Sequence, residues 1–122
     1  MKNPNATRTF SDKHEKSVCK ALNAIQNSNS GAGHWRKGDV INKEAELLIE
    51  CKCLMSEKES FSVKHEWLRK NEEERRLMGL ENGSLCFNFG PDTPNYYIIN
   101  EKLMQYLTNC LTEEYKELIL PE

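Results

Sequence analysis

The sequence predicts a mixed α/β (α+β) domain: one four- to five-stranded mixed sheet flanked by helices in the order α-β-β-α-β-β-α. Three observations carry that expectation. Short apolar runs alternate with longer stretches of helical spacing. Clusters of Gly, Pro, Asn and Ser punctuate them at turn positions. The length of 122 residues, with 38% hydrophobic and 30% charged residues, suits one domain with its own core. Lys and Arg number 17 against 19 Asp and Glu, so neither low hydrophobicity nor charge imbalance argues for disorder.

Residues Met1–Thr9 are polar and are expected to fray. Ser11 or Asp12 then caps a first helix over about 12–26, with Asp12-x-x-Glu15 in the shape of a capping box. Val18, Leu22 and Ile25, with Ala21 beside them, form its apolar face. Ser28–Gly33 reads as a flexible loop. Asp39–Ile41 is a brief strand, Asn42–Glu44 a turn, and Glu46–Leu54 a longer strand. Ser62–Met78 is the second helix, with Ser62 as cap and Gly79 as its stop. Trp67 and Met78 are expected in the core, and the mixed-sign run Arg69–Arg76 on a solvated face. Strands over Leu85–Phe89 and Tyr96–Ile99 follow, separated by a Pro/Gly turn. Asn100 caps a last helix that places Leu103, Leu107, Cys110 and Leu111 on one face.

No run approaches the roughly 20 apolar residues of a membrane span, and Met1–Phe10 has no signal-peptide core, so no membrane association is expected. Five scattered cysteines, an odd number, read as reduced thiols of a cytoplasmic protein. Cys51-Lys52-Cys53 lacks zinc-ribbon spacing. The sequence pI near 6.0 argues at first against a nucleic-acid partner. Residues 1–38, however, carry seven Lys/Arg against two Asp/Glu, and a local patch is what a phosphate backbone requires.

The chemistry concentrates in Lys37-Gly38-Asp39 and Glu50-Cys51-Lys52. Strand alternation puts Glu50 and Lys52 on one face and Ile49, Cys51 and Cys53 on the other. Charges set within an apolar strand cost several kcal/mol per ion unless paired or metal-bound, roughly the scale of a domain's margin of stability. A hairpin through 42–45 brings Asp39 beside Glu50. Two carboxylates and a nearby backbone carbonyl then suit Mg²⁺, with Lys52 placed to offset charge on an attacked phosphate. Glu-x-Lys alone is uninformative, since Glu114-Tyr115-Lys116 repeats it on the last helix without a partner Asp.

Glu15, the Ser28/Ser30 loop, Lys37-Gly-Asp39-Val and Ile49-Glu50-Cys51-Lys52, in that order, resemble the PD-(D/E)XK nucleases with their restriction-endonuclease-like fold. Within that superfamily the chain is most similar to small archaeal and phage Holliday-junction resolvases, over about residues 12–100. The resemblance implies that Asp39, Glu50 and the Cys51 carbonyl bind Mg²⁺ (Mn²⁺ substituting), with Glu15 near the metal and Lys52 as the catalytic lysine. Ser30, or Ser28, would touch the scissile phosphate. It further implies a homodimer that nicks two strands of a four-way DNA junction and leaves 5′ phosphates, acting in the host cytoplasm if phage-encoded. Gly38-Asp39 stands where the superfamily commonly has Pro-Asp. His34, Arg36, Lys37, Lys13 and Lys16 are the expected phosphate contacts. Trp35 is expected to anchor the loop, and Glu15 reads equally as a helix-capping residue. Two other readings stay open: a nuclease of flaps, nicks or single strands, and a non-catalytic protein-binding module on the same fold.

Overall fold

Pro4, whose missing N–H costs nothing at a first helical position, opens the first helix. The computed structural model describes residues 4–27 and 39–119, with side chains from 10 to 27 and from 39 to 118. Its elements are α1 (Pro4–Leu22), β1 (Ile25–Gln26), β2 (Asp39–Asn42), β3 (Leu47–Lys52), α2 (His65–Leu77), β4 (Asn82–Phe87), β5 (Tyr96–Ile99) and α3 (Glu101–Ile119). The mixed α+β class is as expected, with one strand more than the order α-β-β-α-β-β-α contains.

α1 starts eight residues before Asp12, so Pro4–Thr9 is helical, not frayed, and the Asp12-x-x-Glu15 capping box does not form. Asn23 closes the helix in the left-handed conformation (φ 53°), and the Ala24 N–H reaches back to the Cys19 carbonyl at 2.9 Å. That closure removes Ile25 from the helix face and makes it a strand residue, paired with Ile41. The β2–β3 turn is organised by Asn42. Its Oδ1 accepts the Ala45 N–H at 2.9 Å, and its Nδ2 donates to the Leu22 carbonyl at 2.9 Å.

α2 begins at His65, capped from Lys64 without a side-chain hydrogen bond, so Ser62 is not its cap and Val63 lies outside it. Its end follows the expectation at Gly79 (φ 73°): Gly79 N–H bonds the Arg76 carbonyl and Leu80 N–H the Arg75 carbonyl, a Schellman closure. Met78, at that closure, is exposed instead of buried in the core. Asn100 caps α3 as expected, its Oδ1 accepting the Leu103 N–H at 2.8 Å.

The sheet order is β1-β2-β3-β4-β5, antiparallel throughout except for the parallel β3–β4 pair that α2 connects. Alternation sorts the side chains. On the α1 face, Val18 packs with Val40, Ile49 and Cys86 to form the core. On the α2 face lie Ile41, Leu48 and Leu85, together with Asp39 and Glu50. α2 seats closely there because β4 carries Gly83: a β-carbon at that position would collide with Asn71 Oδ1. Asn71 is buried and donates to the Leu48 carbonyl at 3.3 Å.

Candidate functional site

The in-register antiparallel pairing Asp39↔Glu50 makes these two residues direct cross-strand neighbours, as the hairpin spacing predicts. Both are buried, at 1% and 8% exposure. Lys52 follows two residues on, on the same face, with Nζ 3.9 Å from Glu50 Oε2. The sheet therefore brings together the three residues of the expected trio.

A fourth residue comes from α2. Trp67, Asn71 and Glu74 recur at i, i+4 and i+7, the spacing of one helix face, and that face lies on the sheet. Trp67 sits under Lys52, whose Nζ is 4.4 Å from the ring centroid, so the indole fixes the ammonium beside Glu50 through a cation–π contact. Glu74 contributes a third carboxylate. Asp39, Glu50 and Glu74 each offer an oxygen, and the three oxygens lie within 4.8 Å of one another. Glu74 belongs to the Arg69–Arg76 run expected to be solvated, and it is half-buried at the site instead.

Such a donor set fits a hard divalent cation. Ligands on one octahedral Mg²⁺ at roughly 2.1 Å stand about 3.0 Å apart when adjacent and about 4.2 Å when opposite, so oxygens within 4.8 Å of one another draw together by up to about 2 Å to share one ion. Lys52 is the cation beside this cluster, its side chain partly exposed and its Nζ in ion-pair range of Glu50.

Glu15 is buried on α1 and accepts a hydrogen bond from Gln26 Nε2 at 3.2 Å. It is not one of the three clustered carboxylates, so the acidic residue that joins Asp39 and Glu50 is Glu74. Cys51 lies between Glu50 and Lys52 on β3, opposite Cys86. Lys13 is exposed on α1 and ion-paired with Asp92 at 2.9 Å, while Lys16 is exposed on the same helix. Ser28, Ser30, His34, Trp35, Arg36 and Lys37 lie outside the described residues.

Across the sheet, on the α1 face, all five cysteines being free, Cys86 Sγ meets His14 Nε2 at 3.5 Å. Burial alone would push His14 down, but the neighbouring Cys53 and Cys86 thiols outweigh it and raise the imidazole to about 9. The proximity of His14 lowers the Cys53 thiol against its own desolvation. Cys53 and His14 line an open cavity of about 310 Å³.

Among the described residues, no helix is long and apolar enough to cross a membrane. No protein-family model matches the chain, and neither a curated protein nor a solved structure is detectably similar to it.

Proposed function

We propose that this chain is a divalent-metal-dependent DNA endonuclease of the PD-(D/E)XK kind, with Asp39, Glu50 and Glu74 holding Mg²⁺ and Lys52 as its catalytic lysine. The observation that carries the reading is the cross-strand pair Asp39–Glu50 with Lys52 two residues further along the same face. A bound Mg²⁺ supplies charge stabilisation at the attacked phosphate and makes water more acidic. The protein's own part is positional. The β2–β3 hairpin sets two carboxylates side by side at one end of the sheet. α2 adds the third and, through Trp67, holds Lys52 in place. The Lys52 ammonium then offsets the negative charge that accumulates on the phosphate oxygens as the water adds.

The substrate class is branched DNA, in keeping with the resemblance to junction resolvases, with two copies of the chain acting on the two strands. Flap, nick or single-strand cleavage uses the same residues and differs only in how the DNA is held.

The test uses purified protein with a labelled four-way junction, a matched linear duplex and a flap, each with Mg²⁺ or with EDTA. Paired symmetric nicks in the junction alone support a resolvase. Equal cutting of all three removes the junction selectivity and keeps the nuclease. Absence of cleavage from every substrate, with tight binding of a protein partner, favours the non-catalytic module.

A further inference from the structure

We propose that α3 is the surface through which two copies of this chain associate, the helices pairing antiparallel about a two-fold axis at Leu111. The proposal deepens the two-copy nuclease reading and rests on it for its purpose. Its physical case comes from α3 itself. Every side chain from Met104 to Leu118 is exposed, and among the described residues no element covers the helix beyond its N-terminal end. Helices in proteins owe most of their stability to an apolar face packed on something, and α3 is 19 residues long.

That face exists. Met104, Leu107, Leu111, Tyr115 and Leu118 recur at spacings that keep them on one narrow stripe, and each is 42–75% exposed. They expose on the order of 500 Å² per copy, a large part of the roughly 800 Å² that each partner gives to a standard interface. At its N-terminal end the stripe borders an apolar groove of about 610 Å³ walled by Leu47, Tyr97, Ile99 and Leu107.

The occupant follows from symmetry and charge. The stripe's spacings, 3-4-4-3, read the same in both directions about Leu111. An antiparallel copy therefore sets Met104 at the level of Leu118, Leu107 at the level of Tyr115, and Leu111 against itself. This is the self-complementarity that an isologous two-fold contact needs. It also brings the partner's Tyr115 to the groove beside Leu107. Charge selects the direction. Residues 103–112 carry no charged side chain, whereas 113–117 reads Glu-Glu-Tyr-Lys-Glu. Antiparallel pairing lays each acidic segment along the neutral level 105–109 of the other copy. Parallel pairing stacks the two acidic segments together, which costs like-charge repulsion.

Sedimentation velocity at micromolar concentrations, without DNA or metal, is expected to give about twice the 14.2 kDa chain mass. Leu111→Glu, which places two carboxylates on the axis, is expected to give the single-chain mass. A Cys110→Ser background reports direction: Leu111→Cys cross-links to itself, and Met104→Cys cross-links to Leu118→Cys but not to itself. A wild-type protein of single-chain mass overturns the proposal, as does a dimer that survives Leu111→Glu or a self-cross-link through Met104→Cys. Mass is read independently of cleavage. A dimer that cuts nothing therefore refutes only the nuclease, and an active single chain refutes only the helix pairing.

Discussion

Replacing Glu74 by Gln keeps the size and hydrogen-bonding capacity of the side chain and removes its charge. Two like charges no more than 4.8 Å apart repel by at least about 1 kcal/mol in water and at least about 3.5 kcal/mol at an effective dielectric constant of 20. Glu74 faces two such neighbours, but it is half-buried, so the lower figure is the better guide. Its other contacts weaken when the charge goes. A net gain of about 1 kcal/mol in EDTA remains, which for a domain of this size raises Tm by roughly 3–6 °C. With Mg²⁺ the sign is expected to reverse, because the proposed site loses one of its three carboxylates. A tenfold to hundredfold weaker Mg²⁺ midpoint corresponds to about 1.4–2.8 kcal/mol. Thermal melts of wild type and Glu74→Gln across a Mg²⁺ titration therefore have a crossover: the variant is more stable without metal and gains less from it. A variant that melts lower in EDTA and keeps the wild-type Mg²⁺ midpoint would refute the shared-ion account and make Glu74 an ordinary structural carboxylate.

Lys52→Ala removes the cation beside Glu50 and is expected to slow cleavage at least a hundredfold, equivalent to about 2.7 kcal/mol, while Mg²⁺ still raises Tm; loss of both would mean the variant had collapsed the site. Gly83→Ala drives a methyl group into Asn71 and separates α2 from β4, for a loss of about 1–3 kcal/mol in denaturant unfolding; an unchanged midpoint would mean Asn71 moves freely. The Cys53 thiol, lowered by His14, stays partly ionised below the usual thiol range. Its alkylation by iodoacetamide, followed by peptide mass spectrometry, should therefore persist to lower pH in wild type and fall off at higher pH in His14→Ala. Superimposable pH profiles in the two proteins would contradict the pairing.

Period-two alternation and hairpin spacing made the core of the site legible in the sequence. Glu50 and Lys52 had to share a face, and a turn at Asn42 had to return Asp39 to Glu50, which is the register observed. Glu74 was illegible for a physical reason. In a run of alternating charge, the face that meets the sheet is decided by tertiary packing, and the only local cue is its spacing from Trp67 and Asn71. The strand Ile25–Gln26 is too short to show a period of its own, and Ile25 continues the apolar spacing of the preceding helix. It becomes a strand only because Asn23 turns the chain. β4 starts three residues earlier than its apolar run because Asn82, Gly83 and Ser84 have low strand propensity, and parallel pairing with β3 overrides it. On α3 the spacing placed Leu107 and Leu111 on one face but grouped them with Leu103 and Cys110, not with Met104, Tyr115 and Leu118. It did not show that this stripe lies uncovered among the described residues, since spacing reports which side is apolar and not what meets it.

The central claim is that Asp39, Glu50 and Glu74 share one metal ion that acts on a phosphodiester bond. Single-turnover cleavage of a labelled DNA junction in Mg²⁺ by wild type and Asp39→Asn, prepared identically, tests it most directly. The account predicts that the amide, which cannot supply an anionic ligand, slows cleavage by two orders of magnitude or more, about 2.7 kcal/mol. Asp39→Asn cutting at the wild-type rate would contradict it and place any nuclease activity elsewhere.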